Sequence, residues 1–374
     1  MKKRKNLAVF FGGRSCEHDI SIITAMQTLA HIDREKYKVY PIYITRPGEW
    51  YLAENLTLPD QFKDFKPRRA VHVKPAQPTL FASGFPYKKI AQLDCAIICC
   101  HGMNGEDGTL QGVLELSNIP YTSSGVVGSA LTMDKVFMKQ VFEVNNFPVT
   151  PYFWFRKAEF EADAERVLGE CLGSVELPVV VKPANLGSSI GIRRCEDAGA
   201  LREALEVAFA YDDKAIVEEA VPHLVEVNCA VLGLGKDIEV GKLESPKSWE
   251  EILTFEDKYL RFGGAKFVDE VEIGVDEDIQ GRIGEISKRA FERLDCAGVV
   301  RIDFLVNADT GEVFLNEINN VPGSLANYLF PGLSFSQLID RLIEVGIKKH
   351  VQKRACKFTF ESGVLDASAC KLRK

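Results

Sequence analysis

A chain of 374 residues, 46% hydrophobic and 26% charged, is too long for one ordinary core and has the balance of a soluble protein of two or three domains. Its net charge of -7 offers no global attraction to nucleic acid or anionic lipid, so neither is expected as a partner. The apolar run near the N-terminus breaks at Gly12-Gly13, no later segment reaches membrane-spanning length, and the 10 cysteines lack paired metal-ligand spacing; a cytoplasmic protein with reduced thiols is expected.

Residues 1–45 read as a strand (Leu7 to Phe11), a Gly-rich loop, a helix (Ile20 to His31) and a strand (Tyr37 to Thr45). That βαβ opening implies a parallel sheet and the α/β class. Residues 46–92, rich in Pro, Lys and aromatics, read as a long irregular excursion. A strand from Cys95 to Cys100 then runs into the loop His101 to Gly108 and a helix from Thr109, closing a first unit near residue 125. In a parallel sheet such loops gather at the carboxyl edge, where ligands bind.

A second unit, 126–215, is expected to hold a helix (Ser129 to Val144), a strand and helix, a strand (Pro178 to Lys182), a Gly-Ser loop, and a helix from Asp197 to Ala210. A third, 216–347, opens with strands from Ile216, passes a charged loop at 245–272, and continues as a helix (Asp276 to Leu294). Two strands follow, Val299 to Val306 and Val313 to Asn319, then a closing helix from Ser334. The basic stretch 348–374 reads as a solvated face.

Three patterns could carry chemistry. In Lys182-Pro183-Ala184-Asn185-Leu186-Gly187-Ser188-Ser189-Ile190-Gly191, small residues with free amides beside a lysine can wrap phosphate oxygens. The same stretch fits Gly-x-Ser-x-Gly, with Ser189 as a hydrolase nucleophile, or a plain glycine turn. A return to strand character at Ile190-Gly191-Ile192 suggests a hairpin. Second, Arg301 and Asp303 share one face of a strand, as do Glu317 and Asn319 on the next. Paired, they would gather hard oxygen ligands suited to Mg²⁺ beside an arginine, or make a solvated edge. Third, the loop Gly12 to Asp19 places Glu17 at a helix entry, as a helix-terminus charge or a grip on a substrate ammonium. His18 and His101 read as hydrogen-bonded scaffolding.

Taken in order, "FFGGRSCEHDIS", "HGMNGEDGTLQG", "PYTSSG", "MDK", "VVVKPANLGSSIG", "IVEEAV", "RIDF", "NEINNVPG" and "GLSFSQLIDRLIE" resemble the D-alanine–D-alanine ligase family of the ATP-grasp fold. The pieces span residues 7 to about 345 and leave out the 46–92 excursion and the tail. The resemblance implies a three-domain ATP-grasp ligase with an N-terminal parallel-sheet domain and α+β character in the ATP-grasp part. It implies a cytoplasmic homodimer that uses ATP and two Mg²⁺ ions, with Mn²⁺ as a substitute. Its substrates would be D-alanine and a second D-amino acid, joined through an acyl phosphate for peptidoglycan synthesis.

By that resemblance Lys135 and Lys182 reach the phosphates under the Ser188-Ser189 loop. Glu218, Glu219 and Val221 line the adenine pocket, and Glu226 meets the ribose, although a glycine usual nearby is missing. Asp303, Glu317 and Asn319 match the metal ligands; Arg301 and the Gly323 amide match the oxyanion donors. The 245–272 loop matches the lid, with Lys258 and Tyr259 as its Lys-Tyr pair, Tyr259 locking to Ser188 and Glu17. No histidine lies between Ser245 and Glu270, which by the same resemblance favours an amine acceptor, D-alanine or D-serine. His101 and Glu106 look like partners of lid and substrate. Tyr328 stands where a family serine binds the acceptor carboxylate, beside Leu329, so a paralogue joining D-alanine to another D-amino acid is an alternative. A catalytically retired nucleotide-binding protein is a further one.

Overall fold

The computed structural model describes residues 3–54, 56–246 and 274–362. The expected lid with Lys258 and Tyr259 therefore lies outside the described residues from position 247 to its end, as does the tail from position 363.

Strand β1 (Lys5–Gly12) is buried over its last six residues, as an apolar run covered on both faces must be. Helix α1 (His18–His31) crosses to β2 (Tyr37–Ile44), which pairs parallel to β1. Strand β3 (Trp50–Leu52) adds an antiparallel edge. The excursion proves ordered: β4 (Val71–Lys74), β5 (Gln77–Ala82) and β6 (Lys88–Gln92) form their own antiparallel sheet. Val71, Leu80 and Ala91 seat it in the first unit's core, burial that the polar composition of this stretch conceals. Strand β7 (Cys95–Ile98) pairs parallel to β1 and completes the order β3-β2-β1-β7, and α2 (Thr109–Leu116) follows.

Where one helix was expected from Ser129, two occur, α3 (Val126–Met133) and α4 (Lys135–Val144). The break is Asp134, whose carboxylate accepts from the amides of Val136 and Phe137 at 3.0 and 3.1 Å and caps α4. Next come β8 (Tyr152–Arg156), α5 (Lys157–Ala162), α6 (Ala164–Leu172), β9 (Val179–Pro183), β10 (Arg193–Cys195), α7 (Ala198–Ala208) and β11 (Lys214–Glu219). The four strands form an antiparallel sheet in the order β10-β9-β11-β8. Thus β11, read from sequence as the opening of the third unit, is hydrogen-bonded inside the second.

The last sheet, β13-β12-β14-β15, is also antiparallel: β12 (Leu224–Leu234), β13 (Asp237–Val240), β14 (Ala297–Asn307) and β15 (Val313–Asn319). Helix α8 (Glu277–Arg293) packs on it, capped by Asp276. A short 3₁₀ stretch, Gly323–Leu329, leads to α9 (Phe335–Arg354), which opens with a Ser334/Gln337 capping box. Met138 and Phe142 of α4 pack into the core of this last sheet. Another core joins β1, β2 and β7 to Ala230, Leu232, Val299 and the apolar face of α9, so first and last units share one interior. The basic end of α9 is engaged rather than merely solvated: Lys348 pairs with Asp237 at 2.8 Å, Lys353 with Glu115 at 2.5 Å, and Lys349 sits 3.8 Å from the Tyr121 ring centre.

Candidate active site

Two antiparallel sheets face each other across an open cleft. The middle sheet contributes Lys182 from β9, Glu218 and Glu219 from β11, and the Gly187-Ser188-Ser189 loop. The last sheet contributes Asp303 from β14 and Glu317 from β15, while Lys135 projects from the start of α4. Val221 and Glu226 complete the wall. Of the residues expected at a nucleotide, every one that is described lines this one cleft, and Lys258 lies outside the described residues.

The β9-loop-β10 segment is a hairpin, with Arg193 opposite Val181 and Cys195 opposite Val179. A serine nucleophile elbow needs a strand turning into a helix, so Ser189 lacks that setting. Ser188 and Ser189 instead adopt positive φ of 55° and 56°, conformations that non-glycine residues hold only when their surroundings impose them. Here the surroundings include Glu17: the Ser188 hydroxyl donates to its Oε1. A Cβ at Gly187 would lie 2.9 Å from Glu17 Oε2, so glycine lets the loop reach the first unit.

The register of β14 and β15 sets Arg301 opposite Asn319 and Asp303 opposite Glu317. Arg301 forks onto Asp303 with two 2.7 Å bonds, and Asn319 Nδ2 donates to the same carboxylate at 2.9 Å. Glu317 Oε2 lies 3.4 Å from Lys135 Nζ. Between Asp303 and Phe304 the register slips by one residue, which makes Asn316 a bulge. Asn316 therefore turns into the cleft, where its Oδ1 accepts from Lys182 at 3.1 Å. Strict alternation would put Asn316 on the opposite face from Glu317, and sequence reasoning missed it. Among the described residues no three His, Cys, Asp or Glu side chains cluster as a metal cage. Two carboxylates and an amide oxygen are instead a donor set that fits a hard cation keeping waters and sharing phosphate oxygens.

A smaller pocket adjoins the cleft and shares Lys135, Leu186, Gly187 and Glu317 with it. Its far wall holds Glu17 and Glu106, with Asn319 and Asn320 between. Glu17 occupies the position before α1, yet its side chain makes no capping bond. Glu106 is half-buried and accepts from the amides of Gly102 at 2.6 Å and Val321 at 2.9 Å. Burial first, and the Glu17 charge second, raise its pKa to about 8.

His18 is scaffolding: its ring bonds the Gly13 carbonyl at 2.7 Å and the Tyr43 hydroxyl at 3.0 Å. His101 is buried too, its Nε2 2.8 Å from Thr24 Oγ1. Desolvation lowers its pKa to about 4, so it is neutral at working pH. A histidine depressed from its ordinary 6.5 favours the folded state only while neutral. Its contribution should be full above pH 6.5 and fade as pH falls toward 4. A shift of this size is worth about 3 kcal/mol, so a His101→Gln variant should show a flatter Tm-against-pH curve between 6.5 and 4. Parallel curves for variant and wild type would contradict this.

Gly323 opens the 3₁₀ stretch, in which Ser324, Leu325 and Ala326 hold φ near +50° (53°, 51° and 50°). The Ser324 amide donates to Thr24 Oγ1 at 3.3 Å, and its hydroxyl to Gln27 Oε1 at 2.6 Å. Tyr328 is half-buried and packs against the shared core. The Leu329 side chain is buried in that core, so only its backbone is left to meet a ligand, and its carbonyl accepts from Lys242 at 2.7 Å. Neither residue lines the cleft or the adjoining pocket.

Family models described as the D-ala D-ala ligase N-terminus and C-terminus match residues 6–124 and 141–344. The chain belongs to the D-alanine–D-alanine ligase family. A D-alanine–D-alanine ligase of Thermosipho africanus is 37% identical over 96% of this chain and 98% of its own. Among solved structures, the D-alanine-D-alanine ligase of Coxiella burnetii superimposes with a TM-score of 0.76 at 27% identity, over 94% of this chain and 96% of that one. The D-Ala:D-Ser ligase VanG of Enterococcus faecalis gives 0.75 at 29%, over 92% and 100%. Family members are ADP-forming ligases that use ATP, and the cleft between two antiparallel sheets is the ATP-grasp arrangement. No described helix is long and apolar enough to cross a membrane.

Proposed function

We propose that this chain joins D-alanine to a second D-amino acid at the expense of ATP, with D-alanyl-D-alanine as the product, in the cytoplasm and for peptidoglycan precursors. The observation that carries this reading is the adjacency of two pockets across Lys135 and Gly187. One sets Lys135 and Lys182 beside Asp303 and Glu317, a lining suited to phosphate oxygens and a hard cation together; the other is a small acidic recess holding Glu17.

A carboxylate is a poor electrophile, and transfer of the γ-phosphoryl group converts it to an acyl phosphate with release of ADP. Lys135 and Lys182 offset the charge of the transferring group, and the Gly187-Ser188-Ser189 loop donates amides over it. Glu218, Glu219, Val221 and Glu226 take the adenine and ribose. Asp303, Glu317 and Asn319 would hold two Mg²⁺, replaceable by Mn²⁺, and the ions would supply charge screening for the phosphates. Glu17 grips the first substrate's ammonium, and His101 and Glu106 hold the surrounding loops. The second amine then attacks the acyl carbon and phosphate leaves, while Arg301 and the Gly323 amide face the oxyanion. Lys258 and Tyr259 belong to the loop that excludes water from the acyl phosphate.

Tyr328 favours a second reading of the acceptor. By the resemblance a phenol stands where the family has a serine and keeps a donor, which would suit D-serine or another D-amino acid in place of D-alanine, while its ring packs against the shared core. Exposed Leu116 of α2 and Val127 of α3, 68% and 61% exposed, support a homodimer that covers them. Phosphate release from ATP and Mg²⁺ with D-alanine, followed by mass spectrometry of products from D-alanine plus each acceptor, tests the whole reading. No release with any pair of D-amino acids would overturn it, and a mixed dipeptide formed in preference to D-alanyl-D-alanine would select the second acceptor.

A further inference from the structure

Behind the cleft lies a lysine that neither the sequence patterns nor the family resemblance singled out. Lys139, one turn along α4 from Lys135, has a side chain only 1% exposed and lines neither pocket. Its ammonium donates to Thr150 Oγ1 at 2.8 Å, lies 3.4 Å from Glu218 Oε2, and sits 5.5 Å from the Tyr152 ring centre. The same Glu218 oxygen is 3.0 Å from Lys182 Nζ and 3.4 Å from the Thr150 hydroxyl. One buried carboxylate thus stands between two buried ammonium groups, one facing the cleft and one turned away from it.

Burying an ammonium costs several kcal/mol unless it is paired and hydrogen-bonded, so a lysine that never reaches the cleft needs a reason to be there. The charge count supplies one. With Lys182 alone, Glu218 would neutralise the cation that must meet phosphate. With Lys139 sharing the carboxylate, the cluster keeps one net positive charge, and the lysine at the cleft carries it. Lys139 and Thr150 also hold Glu218 from behind, which fixes the carboxylate at the cleft wall.

We infer that Lys139 is a positioning residue of the nucleotide site: it holds Glu218 and leaves the charge of Lys182 free for phosphoryl oxygens. This rests on the reading of the cleft as a nucleotide site, and the test separates the two. Calorimetry would measure ADP and adenosine binding to the full chain and to Lys139→Met, with Lys182→Met as the control on the site. Lys139→Met should weaken ADP about 10-fold or more beyond any loss for adenosine, because a shift of Glu218 is felt by both ligands whereas capture of the Lys182 charge is felt only by the phosphates. Adding Glu218→Gln to Lys139→Met should restore the ADP-to-adenosine affinity ratio, since no carboxylate is left to capture Lys182. Lys139→Gln, which keeps a donor for Thr150, should shift the ratio the same way and serves if the methionine variant does not fold.

Equal losses for both ligands, or a ratio that the second substitution fails to restore, would overturn the inference with the nucleotide site intact. Wild-type protein that bound no ADP, or Lys182→Met that bound it normally, would overturn the site reading and the inference with it.

Discussion

Asp303→Ala should lower kcat/KM by at least about 10³-fold, or ~4 kcal/mol of transition-state stabilisation. The carboxylate takes both prongs of Arg301 and the amide of Asn319, and it stands opposite Glu317 in the strand register. Its removal deletes one of two carboxylates in the hard-oxygen set and frees the arginine it aligns. Both losses act on the charge that builds up during phosphoryl transfer and attack by the amine. Asp303→Asn separates them, because it keeps the shape and one acceptor while losing the charge. Steady-state phosphate release at increasing Mg²⁺ is the measurement, and the alanine variant should stay impaired at saturating metal. Full activity in Asp303→Ala would remove the metal assignment.

The second large effect is expected at Arg301. A guanidinium grips a carboxylate with two parallel bonds and still presents a further face, whereas an ammonium is a point charge that can do only one of these at a time. Arg301→Lys should therefore reduce kcat by about 10²–10³-fold, the usual loss when one oxyanion donor is removed. Because Arg301 does not line the nucleotide cleft, KM for ATP should stay within about threefold. A variant whose KM for ATP rises while kcat holds would place Arg301 at the nucleotide instead of the oxyanion.

Much of this was legible because it obeys simple periods. The βαβ opening, the helix starts near Asp276 and Ser334, and the shared faces of Arg301 with Asp303 and of Glu317 with Asn319 all follow from periodicity. The residues that escaped do so for stated reasons. Asn316 reaches the cleft only through a bulge, which shifts the alternation by one. Lys139 reads as one more helix cation until tertiary packing buries it against Glu218. The sheet within residues 46–92 has strands of four to six residues, and few of its side chains turn inward, so its pattern is swamped by the polar face. The extent of the middle sheet was misjudged because a buried strand such as β11 looks alike in either neighbour.

The turn at Ser324, Leu325 and Ala326 winds the left-handed way with no glycine among its three residues, at roughly 1–2 kcal/mol per residue. Its shape is therefore borrowed: Thr24 and Gln27, on a helix about 300 positions earlier in the chain, hold it through Ser324. Transplanting residues 323–330 into a relative would carry the side chains without the curve. The smallest heritable unit of this wall is a pair of distant segments, and they must change together.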